Sequence, residues 1–367
     1  MRLRKEGARL GFFKVGVAPA GPLPGSPNLD HWIGQGMHGE MAYMEAQAAK
    51  RKNPALVLED VRSMVMLAMN YNCGKHPSDE PLRGRISRYA WGDDYHRLVQ
   101  DRLRLLQDFI LREAPEARMV YYVDTGPVME KAWGARTSLG WMGKHTNLIS
   151  REQGSWFFIG VILLNLELEF DSPEDDYCGT CTRCIDACPT RAIVAPYVVD
   201  ARLCISYLTI ELRGPIPRPL RPLIGNRIFG CDDCQEVCPW NRFAVATPER
   251  EFYPREGHQM PELAPLVRIT ADEFNRRFRG SAIRRAKRDG FVRNVVVALG
   301  NSRRPEAVPA LAAAIKDRSA LVRAHAAWAL GQIDTRESRR LLEAARATES
   351  DSAVKEEITL ALKDFDR

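Results

Sequence analysis

The sequence predicts an α/β domain, then a small cysteine-rich module, then an all-α repeat domain. Three observations support this order. Apolar, strand-like segments alternate with helical ones over residues 1–170, which is the pattern of a layered α/β core. Two closely spaced cysteine runs occupy residues 171–243. After a linker at 244–269, helices rich in Ala, Leu and Val repeat every 31–32 residues through 270–367.

Within the α/β domain, strands are expected at 12–18, 61–71, 119–123 and 156–166, and the second and fourth are predicted to be buried because their apolar runs have no polar face. Helices are expected at 30–50 and 95–113. The second is amphipathic and follows Asp94, a favoured N-cap residue. Loops are expected at 19–27 and 74–86. Asp124-Thr-Gly-Pro127 follows the third strand, and Pro127 should lie near the first position of the next helix.

The first cysteine run reads Cys-x2-Cys-x2-Cys-x3-Cys-Pro from residue 178, the spacing of a bacterial ferredoxin run for a 4Fe–4S cluster. In such a run the fourth cysteine ligates a second cluster, and a second, partial set is present from residue 204 to 239. A zinc site or disulfides would not explain two Cys-Pro endings. We predict two clusters with these ligands: Cys178, Cys181, Cys184 and Cys238 for the first, and Cys188, Cys204, Cys231 and Cys234 for the second.

The repeats near the C-terminus share one pattern. Valine and a basic residue precede an Ala-Leu pair in three copies, at 292–300, 322–331 and 354–362. The pattern resembles HEAT-like repeats, in which helix pairs stack into a solenoid with an exposed concave face. An ordinary helical bundle is the alternative, and both are all-helical.

Charge is unevenly distributed along the chain. The net formal charge is +6, but residues 276–304 alone hold ten Lys/Arg and one Asp, a net +9, so the remainder sums to −3. A single-sign patch of this density is a footprint for phosphate, and helical repeats beside it suit a shaped RNA. The alternative is a solvated helix face, although such faces usually mix signs.

The cysteines also bear on the compartment. Only Cys73 lies outside the two predicted sets, and we interpret it as a buried, inert thiol. Cysteines at metal spacing with no others to pair indicate a reducing compartment. The longest apolar run, 156–166, is much shorter than the ~20 residues of a membrane span. Lys14 interrupts the first apolar run, unlike a signal peptide. We expect a cytoplasmic protein with no membrane partner.

Clusters only store and pass electrons, so other residues must supply the chemistry. The Gly-rich string at 140–144 lacks P-loop spacing, and no dinucleotide fingerprint is present. Asp124 stands where a strand gives way to a helix, a position at which α/β sheets bind ligands, and could be a general acid if burial favoured its protonated form. From position alone, helix capping explains Asp124 better. An Asp-x-His-x-x-Gly cobalamin motif is rejected at 94–99 because valine replaces the glycine, so His96 is interpreted as structural.

Taken together, these features resemble the epoxyqueuosine reductase family, the cobalamin-dependent enzymes that complete queuosine in tRNA. The resemblance extends from the first helix to the repeats. The ferredoxin run is shared by many proteins, whereas the strings around Asp124 and Cys231–Asn241 are far more specific. The matching segments are Tyr89–His96, Val123–Glu130, Gly140–Lys144 with Asn147, Gly154–Phe158, Cys178–Pro189 and Arg227–Asn241.

The resemblance implies a fold, a cofactor and a reaction. The N-terminal domain should be the cobalamin-binding α/β fold shared with reductive dehalogenases, with base-off cobalamin. The substrate should be epoxyqueuosine at the wobble position of tRNA reading Tyr, His, Asn or Asp codons. Two electrons and two protons would enter, and water would leave. Flavodoxin or ferredoxin would load the clusters, which would reduce cobalt to cob(I)alamin, and Asp124 would protonate the epoxide oxygen.

The resemblance also implies contact residues. Candidates for cobalamin contacts, besides Asp124, are Arg51, Lys144, Asn147, Ser155, Ser206 and Asp232. Candidates for tRNA phosphate contacts are Arg213, Arg221, Arg284, Arg285, Lys287, Arg288 and Arg293. We expect a monomer, because the repeats already present a surface of tRNA size.

Two other functions compete with this one. A reductive dehalogenase would share cobalamin and clusters, but it should carry an export signal and lack a basic repeat domain. A non-enzymatic electron carrier or scaffold would bind no cofactor beyond the clusters and would not need Asp124. Corrinoid absorbance of the purified protein separates the carrier from the two enzymes.

Overall fold

This computed structural model describes residues 2–23, 27–75 and 80–365. Its contacts divide the chain into two compact units. The cysteine-rich module predicted at 171–243 contributes to both units, and the loops predicted at 19–27 and 74–86 lie partly outside the described residues. The first unit comprises Met1–Lys75, Asp94–Arg202 and Asp232–Tyr253; the second comprises His76–Asp93, Leu203–Cys231 and Pro254–Arg367.

The strands are β1 (Lys14–Pro19), β2 (Ser63–Asn70), β3 (Arg85–Ile86), β4 (Met119–Tyr122), β5 (Trp141–Met142), β6 (Leu148–Ile149), β7 (Phe157–Leu164), β8 (Ile193–Ala195), β9 (Val198–Val199) and β10 (Arg227–Phe229). The helices up to the repeats are α1 (Arg2–Arg9), α2 (Pro27–Gly34), α3 (Ala42–Ala46), α4 (Ala48–Lys52), α5 (Tyr95–Glu113), α6 (Glu130–Gly134), α7 (Arg183–Asp186), α8 (Ile205–Ile210), α9 (Arg221–Ile224), α10 (Asp233–Glu236), α11 (Leu263–Leu266) and α12 (Ala271–Arg277). The repeat helices are α13 (Lys287–Ser302), α14 (Val308–Ala314), α15 (Ala320–Ile333), α16 (Arg336–Thr348) and α17 (Ser352–Asp364).

A four-stranded sheet in the order β1-β2-β7-β4 organises the first unit, and every pairing in it is antiparallel. α5 covers one face, where Gly160 of β7 lies against Leu103 and Val99. α6 covers the other face, where Trp133 and Met66 share one core. The predicted strands are confirmed. β2 and β7 are buried along nearly all of their length, as strands without a polar face should be, whereas β4 is only partly buried. The rule that places ligands at the carboxyl ends of parallel strands, which drew attention to Asp124, does not apply to this antiparallel sheet.

Two helix predictions need correction. The helix expected at 30–50 is three short helices, α2 to α4, because Gly36 and Gly39 adopt positive φ angles of 65° and 59° after the first of them. The helix expected near Pro127 begins instead at Glu130. Asp124 has a φ of 56°, so the chain leaves β4 through an irregular turn before it becomes helical.

α5 follows its prediction. It spans Tyr95–Glu113, and the Asp94 carboxylate accepts a hydrogen bond from the His96 N–H at 3.1 Å, as an N-cap should. The buried positions of α5 recur at helical spacing: Tyr95, Val99, Leu103, Leu106 and Ile110. The amphipathic pattern was therefore sufficient to place this helix.

The second unit contains the predicted repeats. α13, α15 and α17 stack side by side, with α14 against α15 and α16 against α17. Gly300 of α13 lies so close to Ala329 of α15 that an added Cβ would be 2.8 Å from the Cα of Ala329. Gly331 of α15 meets Ala361 of α17 in the same way, at 3.1 Å. The recurring Ala-Leu-Gly therefore sets a close helix–helix approach. Among the described residues, no helix is both long and apolar enough to cross a bilayer.

Candidate functional site

The two Cys-x2-Cys-x3-Cys-Pro runs fold alike. Thr182 and Asp232 occupy equivalent positions and have nearly the same backbone angles, with φ of −122° and −111° and ψ of 5° and 1°. A one-turn helix follows each of them, α7 and α10, and the two helices pack together within the first unit. The internal repeat of the sequence is thus an internal repeat of structure.

Four cysteines of the first unit surround one cavity of about 250 Å³. They are the set predicted for the first cluster: Cys178, Cys181, Cys184 and Cys238. Three come from one run and the fourth ends the other run, as the ferredoxin pattern requires. Tyr177 and Trp240 also line the cavity, and the indole ring of Trp141 lies edge-on to both of them.

The thiols around this cavity influence one another. Burial raises the pKa of Cys184 to about 11, and the Cys238 and Cys178 thiolates add to that rise. Burial also raises the pKa of Cys178, while the Lys144 backbone N–H and the Trp141 side chain oppose the rise. Four soft sulfur donors around one cavity suit iron, whose positive charge drives the deprotonation of thiols. Among the described residues, no group of three or more His, Cys, Asp or Glu is arranged to hold a single metal ion.

The second predicted ligand set is distributed over both units. Cys188 and Cys234 belong to the first unit, and Cys204 and Cys231 belong to the second. In the first unit, the Cys188 sulfur accepts a hydrogen bond from the Ala192 N–H at 3.2 Å. In the second, Cys204 is the N-cap residue of α8. The second cluster therefore remains a prediction from the cysteine spacing.

The β5–β6 hairpin lies beside the first cysteine cavity. Lys144 donates to the carbonyl oxygens of Gly179 and Cys181 at 2.6 and 3.0 Å, so it fastens the hairpin to the cysteine loop. His145 is buried, and burial lowers its pKa to about 4, with the Lys131 charge adding to the effect. Its Nδ1 accepts a hydrogen bond from the Asn147 N–H at 3.1 Å.

The predicted acid, Asp124, lies in the irregular turn after β4. The Tyr95 hydroxyl donates to its Oδ2 at 2.6 Å, and His96 Nε2 lies 4.0 Å from the same oxygen. Tyr95 is itself fixed, because it is buried and stacks on Phe158 with ring centroids 4.1 Å apart. The Asp124 side chain is 70% exposed, so the burial considered for a general acid is absent here. Asp124 caps no helix either, since Met129 precedes α6.

Sequence reasoning missed a carboxyl beside Asp124. Glu130 opens α6, and its Oε1 is buried without a hydrogen-bond partner among the described residues. Burial raises the pKa of Glu130 to about 7, and the Asp124 charge adds to the rise, while Arg51 and Lys131 oppose it. Arg51 Nη1 donates to the Val128 carbonyl at 3.1 Å, and its Nε is also buried and unpartnered. The signal was available, since Glu130 ends the specific string that begins at Val123.

The other predicted cobalamin contacts have protein partners or lie elsewhere. Asn147 Oδ1 accepts from the Lys131 ammonium at 2.7 Å. Ser155 is buried, and its hydroxyl accepts from the Gln235 amide at 3.0 Å. Asp232 is also buried, while Ser206 lies on α8 in the second unit. Arg51, with its unpartnered Nε, is the candidate whose polar atom still lacks a partner among the described residues.

Three of the predicted phosphate contacts are structural. Arg293 is fully buried and donates to the carbonyls of Leu208, Leu212 and Gly214, so its prediction as a tRNA contact is wrong. Arg221 is also buried; it pairs with Glu357 at 3.0 Å and lies over the Trp328 ring. The Arg288 guanidinium pairs with Asp317 at 2.5 Å, and both side chains are only 9% exposed. A charge count along the sequence cannot distinguish such buried cations from a surface patch.

The remaining phosphate candidates are exposed: Arg213, Arg284, Arg285 and Lys287. Arg285 also pairs with Glu211 at 2.8 Å. Lys287 adopts φ 59° and ψ 164°, a backbone region that residues other than glycine rarely occupy. The exposed part of the basic segment, residues 276–304, is therefore smaller than the sequence indicated, because Arg288 and Arg293 do not contribute to it.

Comparison with known proteins finds three matching family models. The model described as "Epoxyqueuosine reductase QueG, DUF1730" matches residues 51–125. A 4Fe–4S double cluster binding domain matches residues 177–241, which favours iron–sulfur clusters over zinc or disulfides. HEAT repeats match residues 280–363, which confirms the repeat prediction over an ordinary bundle.

Curated relatives and solved structures match over most of the chain. An epoxyqueuosine reductase of Pseudomonas aeruginosa is 44% identical over 89% of this chain and 92% of its own length. That of Escherichia coli is 40% identical over 90% and 88%. A crystal structure of an epoxyqueuosine reductase with a tRNA-Tyr epoxyqueuosine-modified stem loop matches with a TM-score of 0.91 and 32% identity, covering 100% of this chain and 98% of that one. A Bacillus subtilis structure (TM-score 0.91, 31% identity, 99% and 98% coverage) is described with its catalytic aspartate loop swung out of the active site.

Proposed function

This chain belongs to the epoxyqueuosine reductase family of oxidoreductases, and we propose that it reduces epoxyqueuosine to queuosine at the wobble position of tRNA reading Tyr, His, Asn or Asp codons. The relative solved with an epoxyqueuosine-modified stem loop supports tRNA as the substrate. The reaction consumes two electrons and two protons, removes the epoxide oxygen as water and leaves a carbon–carbon double bond. We also propose that the enzyme is a monomer, that it works in the cytoplasm, and that flavodoxin or ferredoxin is its electron donor.

The observation that carries the redox part is the gathering of four cysteines around one cavity in the first unit. They would hold the first cluster, and Cys188, Cys204, Cys231 and Cys234 would hold the second. Base-off cobalamin, reduced by electrons from the clusters, supplies the two-electron reductant when it is bound. Arg51 has a buried, unpartnered Nε for a polar group of this cofactor, and Asn147, Ser155, Ser206 and Asp232 remain further candidates.

Asp124 is the proposed proton donor. Its exposed carboxyl can reach a substrate atom from outside the sheet, and the left-handed backbone at φ 56° fixes the direction in which the side chain leaves the turn. The Tyr95 hydroxyl holds Oδ2, so Oδ1 can carry the proton to the leaving epoxide oxygen. Burial and the nearby Asp124 charge raise the pKa of Glu130 to about 7, so Glu130 is a second acidic group that can hold a proton near neutral pH.

The exposed cations of the basic segment would bind the tRNA backbone. Arg284, Arg285 and Lys287 are exposed within residues 276–304, and Arg213 is an exposed candidate outside that range. Phosphate contacts of this kind fix register without reading bases, while the modified base enters the catalytic site. The strained backbone of Lys287 is consistent with a residue held for a function.

The test is anaerobic turnover. The protein is reconstituted with iron, sulfide and cobalamin, given epoxyqueuosine-containing tRNA and a strong reductant, and the digested tRNA is analysed for queuosine by mass. Asp124→Asn, which keeps size and removes the acid, should lower the single-turnover rate by roughly 10²–10⁴-fold, the usual contribution of a general acid. Full activity in that variant would overturn the role of Asp124. No queuosine from the wild type, with clusters and corrinoid verified as bound, would overturn the function and favour an electron carrier.

A further inference from the structure

His145 is a buried histidine that the proposed mechanism does not use. It lies in the turn between β5 and β6, and only 4% of its surface is exposed. The same turn is tied to the cysteine loop, since Lys144 on one side donates to the Gly179 and Cys181 carbonyls. The imidazole is therefore held rigidly beside the cysteines of the first cluster.

The hydrogen bonds of the ring fix which nitrogen carries the proton. Nδ1 receives a hydrogen bond from the Asn147 backbone N–H at 3.1 Å, so Nδ1 must present a lone pair. The ring proton then resides on Nε2, which makes Nε2–H a donor. The assignment of the ring proton to Nε2 follows because a backbone N–H can only donate a hydrogen bond.

Within the part of the chain that the structure describes, that donor has no acceptor. Nε2 is buried and has no hydrogen-bond partner among the described residues. His145 lines the same cavity as Cys178, Cys181, Cys184 and Cys238. A buried donor without an acceptor costs about 1–3 kcal/mol, so the occupant of the cavity should provide one. An iron–sulfur cluster offers sulfide and thiolate sulfur atoms, which accept hydrogen bonds.

We infer that the Nε2–H of His145 donates a hydrogen bond to a sulfur of the first cluster and raises the reduction potential of that cluster above what its four cysteines alone would set. A hydrogen bond to sulfur stabilises the reduced cluster more than the oxidised one, because reduction adds negative charge to the sulfurs. His145 is thus a positioning and tuning residue for electron delivery. The inference rests on the proposed first cluster but not on the tRNA reaction.

The test is a reduction potential, measured without tRNA or cobalamin. The reconstituted full chain is titrated anaerobically and followed by electron paramagnetic resonance, with iron and sulfide content determined for every sample. His145→Leu, which removes the donor, should shift one cluster to a more negative potential and leave the other unchanged. His145→Gln, whose amide N–H2 can replace Nε2–H, should bring the potential most of the way back to the wild-type value. His31→Leu, at an exposed histidine on α2, is the matched control and should shift neither cluster.

A second measurement needs no substitution. Wild-type protein labelled with ¹⁵N-histidine should show a weak nitrogen coupling to one reduced cluster, and His145→Gln should lack it. Equal shifts of both clusters in His145→Leu, no shift at full cluster occupancy, or no histidine coupling in the wild type would each overturn the inference. Wild-type protein that binds no iron or sulfide after reconstitution would instead overturn the cluster assignment itself. Loss of turnover with an unchanged potential would point to the tRNA reaction and would also overturn the role given to His145.

Discussion

Asp124 depends on one neighbour for its orientation. Tyr95 donates to its Oδ2 at 2.6 Å and is itself stacked on Phe158, so Tyr95→Phe removes the hydrogen bond and keeps the ring. A hydrogen bond of this kind contributes about 0.5–1.5 kcal/mol, so the single-turnover rate should fall roughly two- to tenfold, with tRNA affinity unchanged.

A double-mutant cycle distinguishes positioning from general damage. If Tyr95 acts through Asp124, adding Tyr95→Phe to Asp124→Asn should cause little further loss. Tyr253→Phe is the control, since that hydroxyl donates to the Thr247 carbonyl at 3.3 Å and not to Asp124. Additive losses in the double variant would show that Tyr95 does not act through the carboxyl.

Glu130 makes a prediction about pH. Its folded pKa, raised to about 7 chiefly by burial, exceeds the ordinary value of 4.5. The folded protein therefore holds a proton that the unfolded chain releases, and this stabilisation is complete below pH 4.5 and is lost as the pH rises through 7. Glu130→Gln should match the wild type in stability near pH 4.5 and exceed it at pH 8 by roughly 1–3 kcal/mol. The lower part of that range allows for solvent screening, since the residue is partly exposed.

Thermal midpoints at the two pH values measure this difference. Glu349→Gln is a control of opposite sign, because its hydrogen bond from Arg323 lowers the pKa of Glu349 to about 2. That carboxylate stabilises the fold when ionised, so its loss should destabilise at pH 8. A Glu130→Gln midpoint below that of the wild type at pH 8 would contradict the assigned burial effect.

Among the secondary-structure elements, the close contact of α13 with α15 explains the Ala-Leu-Gly repeat. Gly300→Ala would put a Cβ 2.8 Å from the backbone of Ala329 and 3.0 Å from the Trp328 ring. Overpacking costs typically about 1–3 kcal/mol, more than the ~1 kcal/mol that alanine gains over glycine in a helix. We expect a lower thermal midpoint. Gly290→Ala in the same helix is the control, because its nearest neighbour is Arg293 Nη2 at 4.0 Å, and that variant should be stabilised. Equal stabilisation by both would show that α13 and α15 can separate.

The elements also show what local sequence could and could not predict. The four strands of the main sheet were placed to within two residues at each end, because each is a continuous, largely apolar run. α5 was predicted from end to end because amphipathic spacing and an N-cap agree. The predicted start of α6 was wrong, because the chain passes through the left-handed backbone at Asp124 and an irregular turn before it becomes helical at Glu130. Glu130 was overlooked although it ends the specific string that begins at Val123. His145 could become informative only when its burial and its hydrogen-bond partners were known.

For the whole molecule, cysteine spacing was a stronger guide than charge. The thiols predicted for one cluster lie around one cavity, because the sequence spacing of cluster-ligating cysteines limits how the local chain can fold. Net charge over 276–304 carries no such constraint. Arg293 and Arg288 contribute to it, yet one is fully buried and the other is paired with Asp317, so they hold the repeat unit together.

The tRNA surface should therefore follow exposure rather than charge count. Arg284 and Lys287 are exposed, so Arg284→Gln combined with Lys287→Gln should weaken tRNA binding and lower the slope of log K against log salt by about 2, one for each lost phosphate contact. Arg336→Gln with Arg346→Gln removes the same charge from exposed positions on α16 and should leave the slope nearly unchanged. Equal changes in both pairs would mean that tRNA senses only the net charge.

Arg293→Met should act differently, lowering the thermal midpoint, because it removes the donor to the Leu208, Leu212 and Gly214 carbonyls.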